Sequence, residues 1–244
     1  MILVILASGR GSRLKAKTKS IPKCMIKIGK NRIIDYQIEN FKKFQKIIVV
    51  TGYRSKIIRD HLKKKYQLKN LFFKKNQNYK NTNMIESLSK TKKMIDDDLI
   101  VSYSDIIFHP NIIDNLILQK KTSLPLYKNW FQLWKKRMKN IKEIKNDAEN
   151  LIVKKNYIIS IGKKIEKKIP KLQFMGLAKI KKEDFIYMMK YYEKIKDKKI
   201  DMTTFLDKYI GQKRKVFYFK TSKFWFEIDN LLDVKITNKI LSKS

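Results

Sequence analysis

The segment Ile2-Leu3-Val4-Ile5-Leu6-Ala7-Ser8-Gly9-Arg10-Gly11-Ser12-Arg13-Leu14 near the start of the sequence sets the architecture of the rest. Six apolar residues run without the polar alternation of a half-exposed strand, and half of them are β-branched. Ile2–Ala7 is therefore expected as a strand buried on both faces. The run stops at Ser8-Gly9, where glycines at 9 and 11 let backbone N–H groups turn toward a ligand. Arg10 and Arg13 in the loop, with Lys23 after Pro22, supply the charge that a phosphate chain needs. The loop is not a P-loop, because no Gly-Lys-Ser/Thr follows. Nor is it the dinucleotide fingerprint, since Leu14 stands where the third glycine belongs.

Downstream, helix-like and strand-like stretches alternate. Asn31–Phe44 places Ile34, Ile38, Phe41 and Phe44 at helical spacing, and Lys46–Thr51 is a second apolar strand closed by Gly52. Arg54–Lys65 reads as a helix, Leu71–Lys74 as a strand and Asn83–Ile95 as a helix. Leu99–Tyr103 is a further buried strand running into Ser104-Asp105. This pattern predicts an α/β fold of Rossmann-like type: a mostly parallel, mixed central sheet with helices on both faces and ligands at the strands' carboxyl ends. Lys128–Lys171 departs from it, being lysine-rich and without a clear period before Leu151–Ile161, and is expected as an insert with a solvated face. Beyond it, Phe174–Ile180, Val216–Lys220 and Phe224–Asp229 read as strands. Glu183–Ile195, Thr203–Tyr209 and Leu231–Leu241 read as helices. No repeat or Pro/Gly/Ser-rich linker divides the chain, so one domain is expected over 1–244, with the insert at about 128–171.

The 244 residues carry 58 Lys+Arg against 22 Asp+Glu, a net charge of +36. Such a balance suits a nucleic-acid binder. Yet only seven of the basic residues are arginine, the side chain best suited to bidentate phosphate and guanine recognition. Lys, Ile, Asn, Phe and Tyr are all abundant and all have A/T-rich codons, so base composition accounts for the charge. Single Cys24 excludes an internal disulfide, and His61 and His109 are too few and too far apart for a zinc site. Without a base partner, Cys24 reads as a small buried residue. No stretch has the length of a membrane span, and a reducing, cytoplasmic setting is expected.

Two acidic places stand beside the glycine loop in this reading. Asp105 follows a buried strand at the ligand edge of the sheet, where it serves equally well as a turn cap. Phe226-Glu227-Ile228-Asp229-Asn230 precedes the last helix, and in a strand Glu227 and Asp229 share a face.

Taken with Pro22-Lys23, the loop at Leu6–Leu14 resembles the signature of nucleotidyltransferases that activate sugar phosphates and small phosphorylated alcohols. Ser8 stands where many members have alanine. The resemblance implies that Leu6, Ala7, Ser8, Gly9, Arg10, Gly11 and Ser12 wrap the nucleotide. It puts Arg13 on the β/γ-phosphates and Lys23 at the α-phosphate as the catalytic pair. It also implies that Asp105 and Asp229 hold Mg²⁺, with Glu227 on the acceptor side. Asn78-Tyr79 and Asn83–Leu88 are similar to the element beside the base pocket, which makes Asn83 and Ser87 candidate base contacts. Trp130, Trp134, Arg137, Asp147-Ala148-Glu149, Gln173–Leu177 and Asp201-Met202-Thr203 resemble the phosphocholine-cytidylyltransferase-like branch.

That branch implies transfer of CMP from CTP to phosphocholine, 2-aminoethylphosphonate, phosphoglutamine or a similar acceptor, with pyrophosphate released. Tyr53, Trp130, Trp134 and Trp225 offer an aromatic wall for an ammonium group, or are ordinary core and rim residues. Asp147 and Glu149 offer charge to an amine, and Met175 and Gly176 line the pocket. A sugar 1-phosphate with UTP or dTTP is the alternative within the class, and a lysine-rich nucleic-acid-binding domain the alternative outside it. A homodimer is compatible with the sequence.

Overall fold

A computed structural model describes residues 1–11, 14 and 18–242. The first strand, β1 (Ile2–Ala7), is buried along its whole length. Its pleat splits the interior in two. Leu3, Ile5 and Ala7 face one apolar cluster, while Ile2, Val4 and Leu6 face the other, as a period of two requires.

Short strands β2 (Lys27–Ile28) and β3 (Asn31–Arg32) pair with each other ahead of α1 (Ile33–Phe41). Then follow β4 (Lys46–Thr51), α2 (Ser55–Tyr66), β5 (Leu71–Lys75), α3 (Met84–Ser89) and β6 (Leu99–Tyr103). Strands β5, β4, β1 and β6 lie side by side and all parallel, so their carboxyl ends and the loops after them share one edge. Helix α1 is shorter than its apolar spacing suggests because Asn31 and Arg32 are taken up by β3. The helix expected over 83–95 stops at Ser89, and only a 3₁₀ turn at Lys92–Met94 follows.

The stretch after β6, which periodicity left unread, forms β7 (Ile106–Phe108), α4 (Asn111–Leu118) and β8 (Ser123–Tyr127). The 128–171 segment is more ordered than its lysines imply. It contains α5 (Trp130–Arg137), α6 (Ile141–Asp147) and a hairpin of β9 (Glu149–Lys154) with β10 (Tyr157–Lys164). The strand expected over 174–180 is two strands, β11 (Gln173–Phe174) and β12 (Leu177–Ile180), parted by Gly176 at φ +69°. A Cβ there would stand 2.8 Å from the Tyr103 ring, so only glycine lets the chain pass.

The chain closes with α7 (Lys182–Glu193), α8 (Met202–Gly211), β13 (Phe217–Thr221), β14 (Trp225–Glu227) and α9 (Leu231–Leu241). The large sheet runs β5-β4-β1-β6-β12-β8-β13-β10-β9, with β11 added beside β8. Past β6 its pairings are antiparallel except for β8 with β13, so the sheet is mixed as expected. Helices α1, α2, α4, α5, α6 and α9 contribute to one apolar cluster and α3, α7 and α8 to the other, giving three layers.

Candidate active site

Three distant pieces of sequence meet at the carboxyl edge of the parallel strands. The first is the loop after β1, which approaches the 3₁₀ turn Lys23–Met25 so closely that a Cβ on Gly11 would lie 2.6 Å from Lys23 Cβ. The second is Asp105, just past β6. The third arrives because β14 pairs antiparallel with β7, Glu227 opposite Ile106, and Ile228 N–H donates to the Asp105 carbonyl at 2.9 Å. That register fixes Asp229 beside Asp105.

Lys23 Nζ donates to Asp105 Oδ2 at 2.7 Å and to Asp229 Oδ1 at 2.5 Å, bridging partners 82 and 206 residues away. Burial alone would lower the Lys23 pKa. The charges of Asp105, Asp229 and Glu227 outweigh it and hold the ammonium protonated far above neutrality. Burial raises the pKa of Glu227, and Asp229 and Asp105 raise it further. Oxygens of Asp105, Glu227 and Asp229 lie within 4.8 Å of one another, and Asp105 Oδ1 is buried with no hydrogen-bond partner among the described residues. Cys24 next door is buried, and burial, then Asp105, pushes its thiol up to about 12, away from the reactive thiolate.

Behind the carboxylates sits a cation that sequence reasoning left without a role. Arg137 donates to Asp233 through Nε at 2.7 Å and an Nη at 3.1 Å, and its guanidinium lies 3.6 Å from Asp229 and 3.8 Å from Glu227. Asp233 in turn accepts the backbone N–H groups of Asp229 and Asn230, closing a capping box at the start of α9. In the sequence Arg137 stands among the residues that carry the family resemblance, and the Asn230-x-x-Asp233 spacing is the signal that could have found the cap.

Two adjoining cavities, of about 280 and 210 Å³, share Met84, Tyr103 and Asp229. The larger is lined by Leu6, Ser8, Gly9, Gly11, Lys23, Asn83, Ser87 and Asp105 among others. Ala7 is buried beneath it, and Arg10 is exposed over the Tyr53 ring. Ser12 and Arg13 lie outside the described residues. Asn83 caps α3 through Met84 N–H, and its amide also donates to the Lys199 carbonyl.

The smaller cavity brings together Trp134, Asp147, Glu149, Gly176, Trp225 and Glu227. Asp201 and Thr203 also line it, and no local sequence signal points to them as site residues; Asp201 caps α8 and Thr203 Oγ1 donates to Glu149 at 2.8 Å. Trp134 and Trp225 stack with 5.7 Å between centroids. Arg137 lies 4.5 Å from the Trp134 ring centre, so the indole's π surface is already engaged. The structure places three of the aromatic and apolar candidates elsewhere. Trp130 is core, its Nε1 donating to the Pro170 carbonyl. Met175 is fully buried behind the wall, with its carbonyl on Trp225 Nε1. Tyr53 stands with Tyr79, Arg10 and Arg54 beside the glycine loop, its backbone N–H on the Ser8 carbonyl at 3.0 Å.

Asp147, Glu149 and Asp201 form no ion pair among the described residues, in a chain of net charge +36. Burial raises the Glu149 pKa, Thr203 opposes it, and the charges of Asp201 and Asp147 add to it. A wider cleft of about 580 Å³ lies between the β9–β10 hairpin and residues 166–172. It is lysine-lined and contains none of the converging carboxylates.

The profile of the nucleotidyl transferase family matches residues 2–235. The chain belongs to that family. Over 97% of its length it is 33% identical to the CTP:phosphoglutamine cytidylyltransferase of Campylobacter jejuni subsp. jejuni serotype O:2, covering 98% of that protein. It is 29% identical to the choline-phosphate cytidylyltransferase of Streptococcus pneumoniae over 55% of this chain and 59% of that one. The fold of this nucleotidyl transferase is shared with the inositol-1-phosphate CTP transferase from T. maritima, at a TM-score of 0.80 and 17% identity over 99% and 95% of the two chains. Among the described residues no helix is long and apolar enough to cross a membrane.

Proposed function

We propose that this nucleotidyl transferase is a Mg²⁺-dependent cytidylyltransferase that moves CMP from CTP to a small, amine-bearing phosphorylated or phosphonate acceptor and releases pyrophosphate. The observation that carries the reading is Lys23 held between Asp105 and Asp229 on the floor of a cavity framed by Gly9 and Gly11. The cytidylyltransferase activity of the Campylobacter and Streptococcus relatives supports the choice of nucleotide.

In this reading the triphosphate lies along the glycine loop, with Lys23 at the α-phosphate and Arg13 on the β/γ-phosphates. The acceptor's phosphate oxygen is already anionic, so no general base is needed. It attacks the α-phosphorus in line, a new P–O bond forms, the bond to the β-phosphate oxygen breaks, and pyrophosphate leaves with the electron pair. The protein's work is positioning and charge neutralisation. The donor set fits a hard divalent cation, being all carboxylate oxygen with one buried oxygen of Asp105 unpartnered. Asp105 and Asp229 would hold it, and when bound it offsets phosphate charge.

Residues 128–171 form the acceptor side, as an insert in a single domain. The carboxylates of Asp147, which accepts the Trp134 indole N–H at 2.8 Å, Glu149 and Asp201, with no ion pair among the described residues, favour an amine there, and they carry more of this than the tryptophans, whose faces are engaged. The test is pyrophosphate release with Mg²⁺, each of the four ribonucleoside triphosphates, and phosphocholine, 2-aminoethylphosphonate, phosphoglutamine or glucose 1-phosphate. Release with CTP and an amine-bearing acceptor is expected. Release only with UTP and the sugar phosphate would overturn the assignment.

A further inference from the structure

The wall of the larger cavity contains a chain of side-chain hydrogen bonds whose direction is fixed at both ends. At its start, Asn76 Oδ1 accepts the backbone N–H of Asn78 at 3.0 Å. A backbone N–H can only donate, so this bond settles which end of the amide is oxygen. The Asn76 Nδ2 protons then go to Thr82 Oγ1 at 3.0 Å and to Ser87 Oγ at 3.1 Å. At the other end, Ser8 Oγ donates to the Val50 carbonyl at 3.2 Å, and a carbonyl can only accept. Between these ends Ser87 Oγ and Ser8 Oγ lie 3.1 Å apart.

The hydrogen-bond geometry sets the order of the two hydroxyl protons: with Asn76 donating to Ser87 and Ser8 donating to Val50, Ser87 donates to Ser8. The competing acceptor for Ser87, the Asn83 carbonyl, is at the outer limit of 3.5 Å. Asn76, Ser87 and Ser8 are only 1%, 3% and 7% exposed, which shields the chain from exchange with bulk water. Both serines nevertheless line the cavity. With their protons committed inward, each has a lone pair left to present and no donor.

We infer that this relay leaves Ser87 an acceptor toward the base's 4-substituent and thereby selects an amino-bearing pyrimidine over a carbonyl-bearing one. Cytosine's exocyclic amine meets Ser87 as a donor, whereas the uracil carbonyl at the same place meets a lone pair. Ser87 is the contact, and Ser8 and Asn76 are positioning residues that hold its proton away. The inference rests on the reading of this cavity as the nucleotide site and adds to it the residues that set base choice.

The experiment measures kcat/KM and calorimetric Kd for CTP and UTP with wild-type protein, Ser8→Ala, Ser8→Thr and Ser87→Ala, at one fixed acceptor. Wild type is expected to prefer CTP by about 10- to 100-fold, the range of one mismatched buried hydrogen bond. Ser8→Ala removes the acceptor of the Ser87 proton, which then turns into the cavity. UTP use rises while CTP use falls, and the ratio contracts about tenfold. Ser8→Thr keeps the hydroxyl and the ratio. Ser87→Ala deletes the lone pair and also contracts the ratio, so it carries the test if Ser8→Ala does not fold. General damage to the site lowers both nucleotides together. Parallel loss in Ser8→Ala, an unchanged ratio, or a wild type indifferent to the base overturns the relay while leaving a nucleotidyltransferase in place. Failure of every triphosphate to bind or react overturns the site reading itself.

Discussion

Replacing Lys23 by Met keeps the stem and deletes the charge, and it tests the centre of the site without any assumption about substrate. Lys23 Nζ lies 2.7 and 2.5 Å from the carboxylates of Asp105 and Asp229, whose side chains are 20% and 6% exposed. At an effective dielectric of about 20, unit charges about 3 Å apart attract by roughly 5 kcal/mol per pair. Desolvation of the three groups takes back most of this. Breaking a buried pair from one side is the larger loss, about 3–5 kcal/mol, because the partners stay buried without their counter-charge.

Lys23→Met should therefore lower the unfolding free energy by about 3 kcal/mol or more and the urea midpoint by about 1 M. The sign of the pH dependence follows from the raised Lys23 pKa. A cation whose pKa rises on folding contributes stability that is complete below its unfolded value, about 10.4, and fades as pH climbs through the folded value. The deficit of the variant should be level between about pH 7 and 9 and narrow beyond about pH 10.5. Urea titrations of both proteins across that range decide it. A loss under about 1 kcal/mol, or a deficit that widens with alkali, would mean that Lys23 is not held as a buried counter-charge. Turnover by the same variant should fall about 100-fold or more, as for removal of one electrostatic donor from a reacting centre.

Glu149→Gln should raise KM for an amine-bearing acceptor about tenfold while leaving the fold as stable or more so at pH 8, because burial already penalises this carboxylate. In the wild type, acceptor affinity should weaken as falling pH protonates Glu149, a loss that starts at higher pH than for an ordinary glutamate and that Glu149→Gln abolishes; parallel pH profiles in steady-state kinetics would count against it. Gly11→Ala forces a left-handed φ of +70° on a residue with a Cβ and drives that Cβ to 2.6 Å from Lys23. It should cost about 1–3 kcal/mol and, by displacing Lys23, far more in kcat than in acceptor KM. Equal losses in kcat and stability-corrected expression would argue that Lys23 had not moved.

The parallel half of the sheet and the edge where ligands gather were legible in the order of residues alone. Continuous apolar runs such as Ile2–Ala7 and Lys46–Thr51 can be buried only between two layers of helices, and glycines after a buried strand end can serve only a turn. The loop and Pro22-Lys23 were legible for the same reason, because the residues that define them are contiguous. Periodicity was silent over 106–127, where short elements give no repeat long enough to read, and it merged β11 with β12 because Gly176 bends a run that is apolar throughout.

Which charges meet was not legible there and follows from the folded chain. The pairing of β14 with β7 sets Asp229 beside Asp105, and Arg137 reaches Asp233 across 96 residues. The order of the Asn76–Ser87–Ser8 protons depends on a carbonyl from β4. Such contacts depend on strand register and helix docking, which arise from packing over the whole chain. Neighbouring residues fix what a segment is, whereas the fold as a whole fixes what it touches.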